Sequence, residues 1–191
     1  VAAAALSRRR SAAAGQLANA VDAVLVELGF PPGSFDIALG RRPAGAHEPA
    51  VEVDGDALAF DATGIDGVVF RFRPNPGEPA RPLARIASGG ELSRVALAVK
   101  EVLATADATP TLVFDEIDTG VGGAVADAIG ARLARLAGSV QVMAVTHAPQ
   151  VAARADQHLL ISKDALDKGK RVATRVNALH ADHRREEIAR M

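Results

Sequence analysis

The chain has 191 residues, enough for one sizeable core or two small ones, and 49% of them are apolar, so disorder is not the default. Six Phe, no Trp and no Tyr imply a core of small aliphatic side chains and few rings for stacking on bases, which disfavours a single-strand nucleic acid platform. A net charge of −1 gives no nucleic-acid footprint over the whole chain, and the lack of Cys excludes disulfides and thiolate metal sites. Arg8 to Arg10 and Arg41–Arg42 read as solvated faces. No apolar run is long enough for a membrane span and no signal-peptide pattern appears, so the cytoplasm is the expected compartment. A start at Val1 and a stop in a charged helical stretch suggest a piece of a longer protein.

Residues 1–30 are Ala-rich, with Leu17, Val21, Val24 and Leu28 spaced as a heptad seam. The segment fits either the end of a coiled-coil arm or one amphipathic helix packed on the domain. Gly29 and Pro31-Pro32 end it. Residues 31–86 are rich in Pro and Gly, with alternating runs at Phe35–Leu39, Val51–Val53 and Val68–Phe72 that predict a small β-rich lobe. A turn at Asn75-Pro76-Gly77 closes that lobe. Residues 87–191 alternate helix and strand. Leu92, Val95, Val99 and Val102 form one helical stripe, and Val121, Val125, Ile129, Leu133 and Leu136 a second. Thr111–Phe114, Val140–Val145 and Leu159–Ser162 read as buried strands of a parallel sheet with right-handed crossovers. Arg171–Val176 would add a hairpin strand after a turn near Asp167 to Gly169, and residues 182–191 would be helical.

Three places carry chemistry. Ser88-Gly89-Gly90-Glu91 opens the first helix of the α/β part. A capping box explains Ser88 and Glu91 but not two glycines in a first helical turn, each costing up to about 1 kcal/mol of helix propensity. Glycines there let an anion approach free N–H groups at the positive helix end, and a phosphate suits that place. Next, the strand Thr111–Phe114 runs into Asp115 and Glu116. Adjacent carboxylates at a strand end point different ways, so Asp115 suits Mg²⁺ and Glu116 suits work on an attacking water; a solvated acidic turn is the plain alternative. Third, Thr146-His147 follows the next strand, and parallel pairing would bring His147 to the edge that carries the carboxylates. Asp118 has a plain reading as N-cap of the following helix. His180 and His183 have helical spacing for a metal but no further ligand is evident.

The order of these elements resembles the signature, Walker B, D-loop and H-loop succession of ABC-type ATPases. More narrowly, Asn75-Pro76-Gly77-Glu78-Pro79 leading to Ile86-Ala87-Ser88-Gly89-Gly90-Glu91-Leu92-Ser93-Arg94 is similar to the RecN family of DNA repair proteins. So are Phe114-Asp115-Glu116-Ile117-Asp118-Thr119-Gly120-Val121, Val145-Thr146-His147-Ala148-Pro149-Gln150-Val151-Ala152 and the closing Glu186-Glu187-Ile188-Ala189-Arg190-Met191. The resemblance implies an α/β fold: an ABC-type half-head of mainly parallel sheet with flanking helices, a small β lobe and a coiled-coil stub. It implies that Ser88, Gly89, Gly90 and Glu91 meet ATP held by an opposing head. Asp115 would hold Mg²⁺ through water, Glu116 would be the catalytic base, Asp118 would lie in the loop linking the two active sites, and His147 would sense the γ-phosphate. No G-x-x-x-x-G-K-[ST] phosphate loop occurs in these residues. The family places that loop in an N-terminal half of the head, so the partners implied are that half, a second head, and DNA, with no membrane and a nucleoid location. The chain by itself would not be an ATPase. Rival readings are another coiled-coil ABC ATPase of the SMC type, or a non-catalytic interaction domain in which the motif residues only cap and pack.

Overall fold

The computed structural model describes residues 2–86, 88–104, 106, 109–166 and 171–191, without the side chains of 164–166, 171 and 172. The chain forms two compact units, residues 1–108 and 109–191.

The first unit opens with helix α1 (Ala2–Glu27), which buries Val21, Val24 and Leu25, with Leu28 just beyond. Three of the four heptad-seam residues are therefore buried against the helix's own unit, where α1 packs on strand β1 (Phe35–Gly40) and helix α2 (Gly89–Val102). Gly29 ends the helix at φ +88°, a conformation that suits a residue without Cβ. The Asp22 carboxylate then accepts from the Gly33 and Phe35 amides, pinning the start of β1 to α1. Near its other end α1 is tied to the β lobe by a buried polar group. Ser7 donates to Asp66 at 2.5 Å, and Arg10 and Arg41 lie 3.4 and 3.6 Å from the same carboxylate.

The β lobe holds two antiparallel sheets. Strand β1 pairs with β4 (Gly67–Phe72), which pairs with the short β5 (Arg81–Pro82). Strands β2 (Ala50–Val53) and β3 (Asp56–Ala59) form a separate hairpin through Asp54 and Gly55, both at positive φ, as a two-residue turn of this hand requires. Val53, Leu58 and Ile65 form its core, covered by Ala3 and Ala4 of α1. The expected turn at Asn75-Pro76-Gly77 is present, with Glu78 N–H donating to Asn75 C=O and Gly77 at φ +86°. Helix α2 buries Arg94, Val95, Leu97 and Ala98, whereas Leu92 is exposed, so the buried face is rotated from the expected stripe. Arg94 explains the rotation. Its guanidinium lies 4.9 Å from the Phe30 ring centre, and Phe30 in turn meets Phe72 edge-on. Burial pushes the Arg94 pKa down, with Glu91 opposing.

The second unit contains β6 (Thr111–Phe114), α3 (Gly123–Leu136), β7 (Gln141–Ala144), α4 (Pro149–Ala153), β8 (Leu159–Leu166), β9 (Arg171–Ala178) and α5 (Ala181–Arg190). Strands β6 and β7 are parallel, with Phe114 opposite Ala144, and the α3 crossover between them is the expected unit. The expected third parallel strand behaves differently. Strand β8 pairs antiparallel with β9 in its own two-stranded sheet, because the next strand follows close in sequence and supplies a complete ladder. The turn expected near Asp167 to Gly169 lies outside the described residues. Helix α3 packs on α4 through Gly130, where an added Cβ would lie 3.0 Å from the Gln150 carbonyl oxygen and 3.2 Å from Val151 Cα. Arg184 of α5 caps the end of α4 by donating to the carbonyls of Ala152, Ala153 and Ala155.

Candidate functional site

Two sets of predicted residues are built differently, one in each unit. In the first unit Ser88 is the N-cap of α2, with extended backbone, and its hydroxyl accepts from the Glu91 N–H at 3.4 Å. This is one arm of the capping box, but a long one, since a normal N–H···O bond spans about 2.7–3.2 Å. Ser88 and Gly89 are exposed while Gly90 is buried. Ser88 and Gly89 thus face solvent at the positive end of a 14-residue helix. An anion can reach it.

In the second unit the β6–β7 pairing does what the strand reading requires. Val145 N–H donates to Phe114 C=O at 2.9 Å, one step beyond the last paired residues. Asp115–Glu116 and Thr146–His147 therefore leave the sheet side by side at the C-terminal edge, where ligands bind in open α/β sheets. Asp115 and Glu116 are exposed. Glu116 sits at φ +54°, a left-handed conformation that a residue with Cβ adopts at a cost. Strain of this kind collects at functional turns.

Asp118 does not cap a helix. Helix α3 starts only at Gly123, with Gly122 as its N-cap, and Asp118 is instead buried. Its Oδ2 accepts from Thr146 Oγ at 2.6 Å, Ala148 N–H at 2.9 Å and His147 N–H at 3.1 Å. His147 Nδ1 stands 3.4 Å away, with the imidazole 78% exposed. Burial is the largest single influence on the Asp118 pKa and raises it. The Thr146 hydroxyl and the neighbouring amides together outweigh burial, and the carboxyl ends below its ordinary value. Thr146 is the residue that motif reading left without a role of its own. Its signal was available only in space, since its partner lies in the other strand's loop.

As to a metal, no cluster of three or more His or acidic groups able to hold an ion exists among the described residues. Mg²⁺ takes most of its ligands from water and phosphate, so a single exposed carboxylate at a strand end suits it. His180 and His183 bring no such cluster with them. The sheet itself is unusual in one respect. Phe114 is buried, but on the opposite face Val113, Met143 and Val145 are 66%, 47% and 54% exposed. Parallel sheets are ordinarily covered on both faces.

No family model matches the chain. Curated relatives do. The chain is 47% identical over 189 residues to the DNA repair protein RecN of Streptomyces coelicolor, covering 98% of this chain and 32% of that one. It is 40% identical over 191 residues to RecN of Bacillus subtilis, covering 100% and 33%. For RecN of Deinococcus radiodurans the identity is 45% over 187 residues, covering 98% and 30%. The chain thus spans about a third of the length of the curated relatives it matches. Among solved structures, the Smc head domain of Pyrococcus yayanosii with a coiled coil and joint aligns at a TM-score of 0.58 and 18% identity, covering 95% of this chain and 30% of that one. The Smc head domain of Pyrococcus furiosus, with an extended coiled coil and bound to the C-terminal domain of ScpA, aligns at 0.54 and 16%, covering 95% and 38%. The fold is similar to part of an Smc head domain, and by its sequence the chain belongs to the RecN family.

Proposed function

We propose that this chain is the C-terminal half of an ATP-hydrolysing head of the ABC type, in a protein that acts on DNA during recombinational double-strand break repair. The observation that carries the reading is the shared edge of β6 and β7, which holds an exposed Asp115 and Glu116 beside Thr146 and His147. Kinship with RecN rather than with SMC chromosome proteins supports the repair role: identity is 40–47% to the RecN relatives above, against 16–18% to the Smc heads. The bare face of the β6–β7 sheet supports a missing companion. That companion is the N-terminal half of the head, which brings the phosphate loop and covers Val113, Met143 and Val145.

In the working protein two heads engage with ATP between them. Ser88, Gly89 and Gly90 offer one head's helix N-terminus to the γ-phosphate held by the other, and Glu91 supports that turn through its amide. Asp115 would hold Mg²⁺, which would supply positive charge to offset the phosphates. Glu116 takes a proton from the attacking water. His147 touches the γ-phosphate, and Asp118 lies in the loop between the two sites. Residues 1–30 are the end of a coiled-coil arm, residues 31–86 form the small lobe and 87–191 the catalytic lobe. Among the described residues no helix is long and apolar enough to cross a membrane. The protein works in the cytoplasm, at the nucleoid.

Glu116→Gln in the full-length protein tests this. The substitution keeps shape and removes the base, so turnover should fall by about 10² to 10⁴. ATP binding should persist and an ATP-bound dimer should accumulate on gel filtration. Turnover close to wild type would remove Glu116 from the role of base.

A further inference from the structure

The Asp118 carboxylate is wholly buried, and one of its oxygens gathers Thr146 Oγ, His147 N–H and Ala148 N–H within 2.6–3.1 Å. Those donors are three consecutive residues of one turn. The turn is tightened further by Ala148 N–H donating to Thr146 Oγ at 3.0 Å. A buried carboxylate is costly unless paired and hydrogen-bonded, and here every bond it makes to the turn falls on the residues that carry or flank one imidazole. That imidazole is itself 78% exposed, so packing does little to fix its direction. What fixes it is its own backbone, anchored on Asp118, together with Nδ1 at 3.4 Å from Oδ2. Nδ1 lies on the Asp118 side of the ring, which leaves Nε2 as the nitrogen on the far side.

We propose that Asp118 is a positioning residue that works within its own chain: it clamps the turn 146–148 so that His147 stands over the sheet edge holding Asp115 and Glu116, with Nδ1 inward and Nε2 toward the nucleotide. This rests on the reading of His147 as the group that meets the γ-phosphate. It differs from a role for Asp118 across the interface between heads, because every contact it needs lies inside this unit.

The test uses the full-length protein with His147→Ala, Asp118→Ala, Asp118→Asn and the His147→Ala/Asp118→Ala pair. Asp118→Ala should lower kcat by about 10- to 100-fold, the usual worth of an outer partner to a functional histidine, with nucleotide Kd within about twofold of wild type. The paired variant should be no slower than His147→Ala alone, because one residue acts through the other. Asp118→Asn keeps an acceptor for the turn and should recover much of the loss. Wild-type kcat in Asp118→Ala, or losses that multiply in the pair, would overturn the proposal. Should Asp118→Ala not fold, Thr146→Val removes one of the three donors and must show the same dependence on His147. Hydrogen–deuterium exchange of residues 145–148 gives a readout separate from catalysis, and Asp118→Ala should speed it while leaving α3 protected. A wild-type protein without turnover would sink the ATPase reading alone. Unchanged exchange in this turn would sink the clamp alone.

Discussion

Ser88 is where a phosphate-binding role and a plain helix cap diverge most cleanly, provided the replacement is Asp rather than Ala. The cap bond from Glu91 N–H is 3.4 Å long, so its loss in Ser88→Ala should cost about 0.5 kcal/mol, the low end for an N-cap. Ser88→Asp restores a good cap, and a negative charge at the helix N-terminus adds about 0.3–1 kcal/mol. Folding stability of Ser88→Asp should therefore equal or slightly exceed wild type, read by denaturant titration. Function should move the other way. A unit charge about 4 Å from a phosphate charge, at an effective dielectric near 20, is repelled by about 4 kcal/mol, close to three decades. ATP-dependent head engagement and hydrolysis in the full-length protein should collapse while each head still binds nucleotide. Mixing Ser88→Asp protein with a variant lacking the phosphate-loop lysine sharpens the result. One composite site of the mixed dimer carries both lesions and the other carries none, so activity should return on mixing. A Ser88→Asp protein that dimerises and turns over normally would reduce the motif to a cap and refute the reasoning.

Two further outcomes test the framework that holds the site. Gly130→Ala places a Cβ 3.0 Å from the Gln150 carbonyl and 3.2 Å from Val151 Cα, both backbone atoms that yield poorly. Overpacking of about 1–3 kcal/mol set against about 1 kcal/mol of helix propensity gained leaves a net destabilisation of about 0–2 kcal/mol, and a clear stabilisation in thermal melts would mean that α3 and α4 are not in this contact. Val113→Glu puts a charge on the bare sheet face and should abolish co-purification with the N-terminal half; a pair that co-purifies unchanged would show that this face is not the joint.

The C-terminal edge of β6 and β7 was legible because both strands are short apolar runs that stop at polar residues, and that pattern alone implies parallel pairing with a helix between. The same pattern misled at Leu159–Ser162, an equally apolar run whose partner β9 lies next to it in the chain. Strand β3 escaped notice because Asp56, Ala57 and Ala59 are poor strand formers, although Asp54-Gly55 carried the hairpin signal. The stripe on α2 failed at Leu92 because Arg94 takes the buried face by lying over Phe30, an aromatic just beyond the end of α1. Asp118 shows the deepest limit. Local sequence offers an N-cap, whereas the folded chain spends the carboxylate on a turn about 30 residues further along, a contact that only the β6–β7 register creates.

The most direct measurement of the central claim is reconstitution from halves. This chain, purified alone, should neither bind ATP tightly nor hydrolyse it, because the lysine-bearing phosphate loop is supplied by the other half. Co-expression with the N-terminal half of the same protein should restore Mg²⁺-dependent turnover, and Glu116→Gln should remove it again. Robust hydrolysis by the isolated chain, or a reassembled head that stays inactive while folded and nucleotide-bound, would contradict the account.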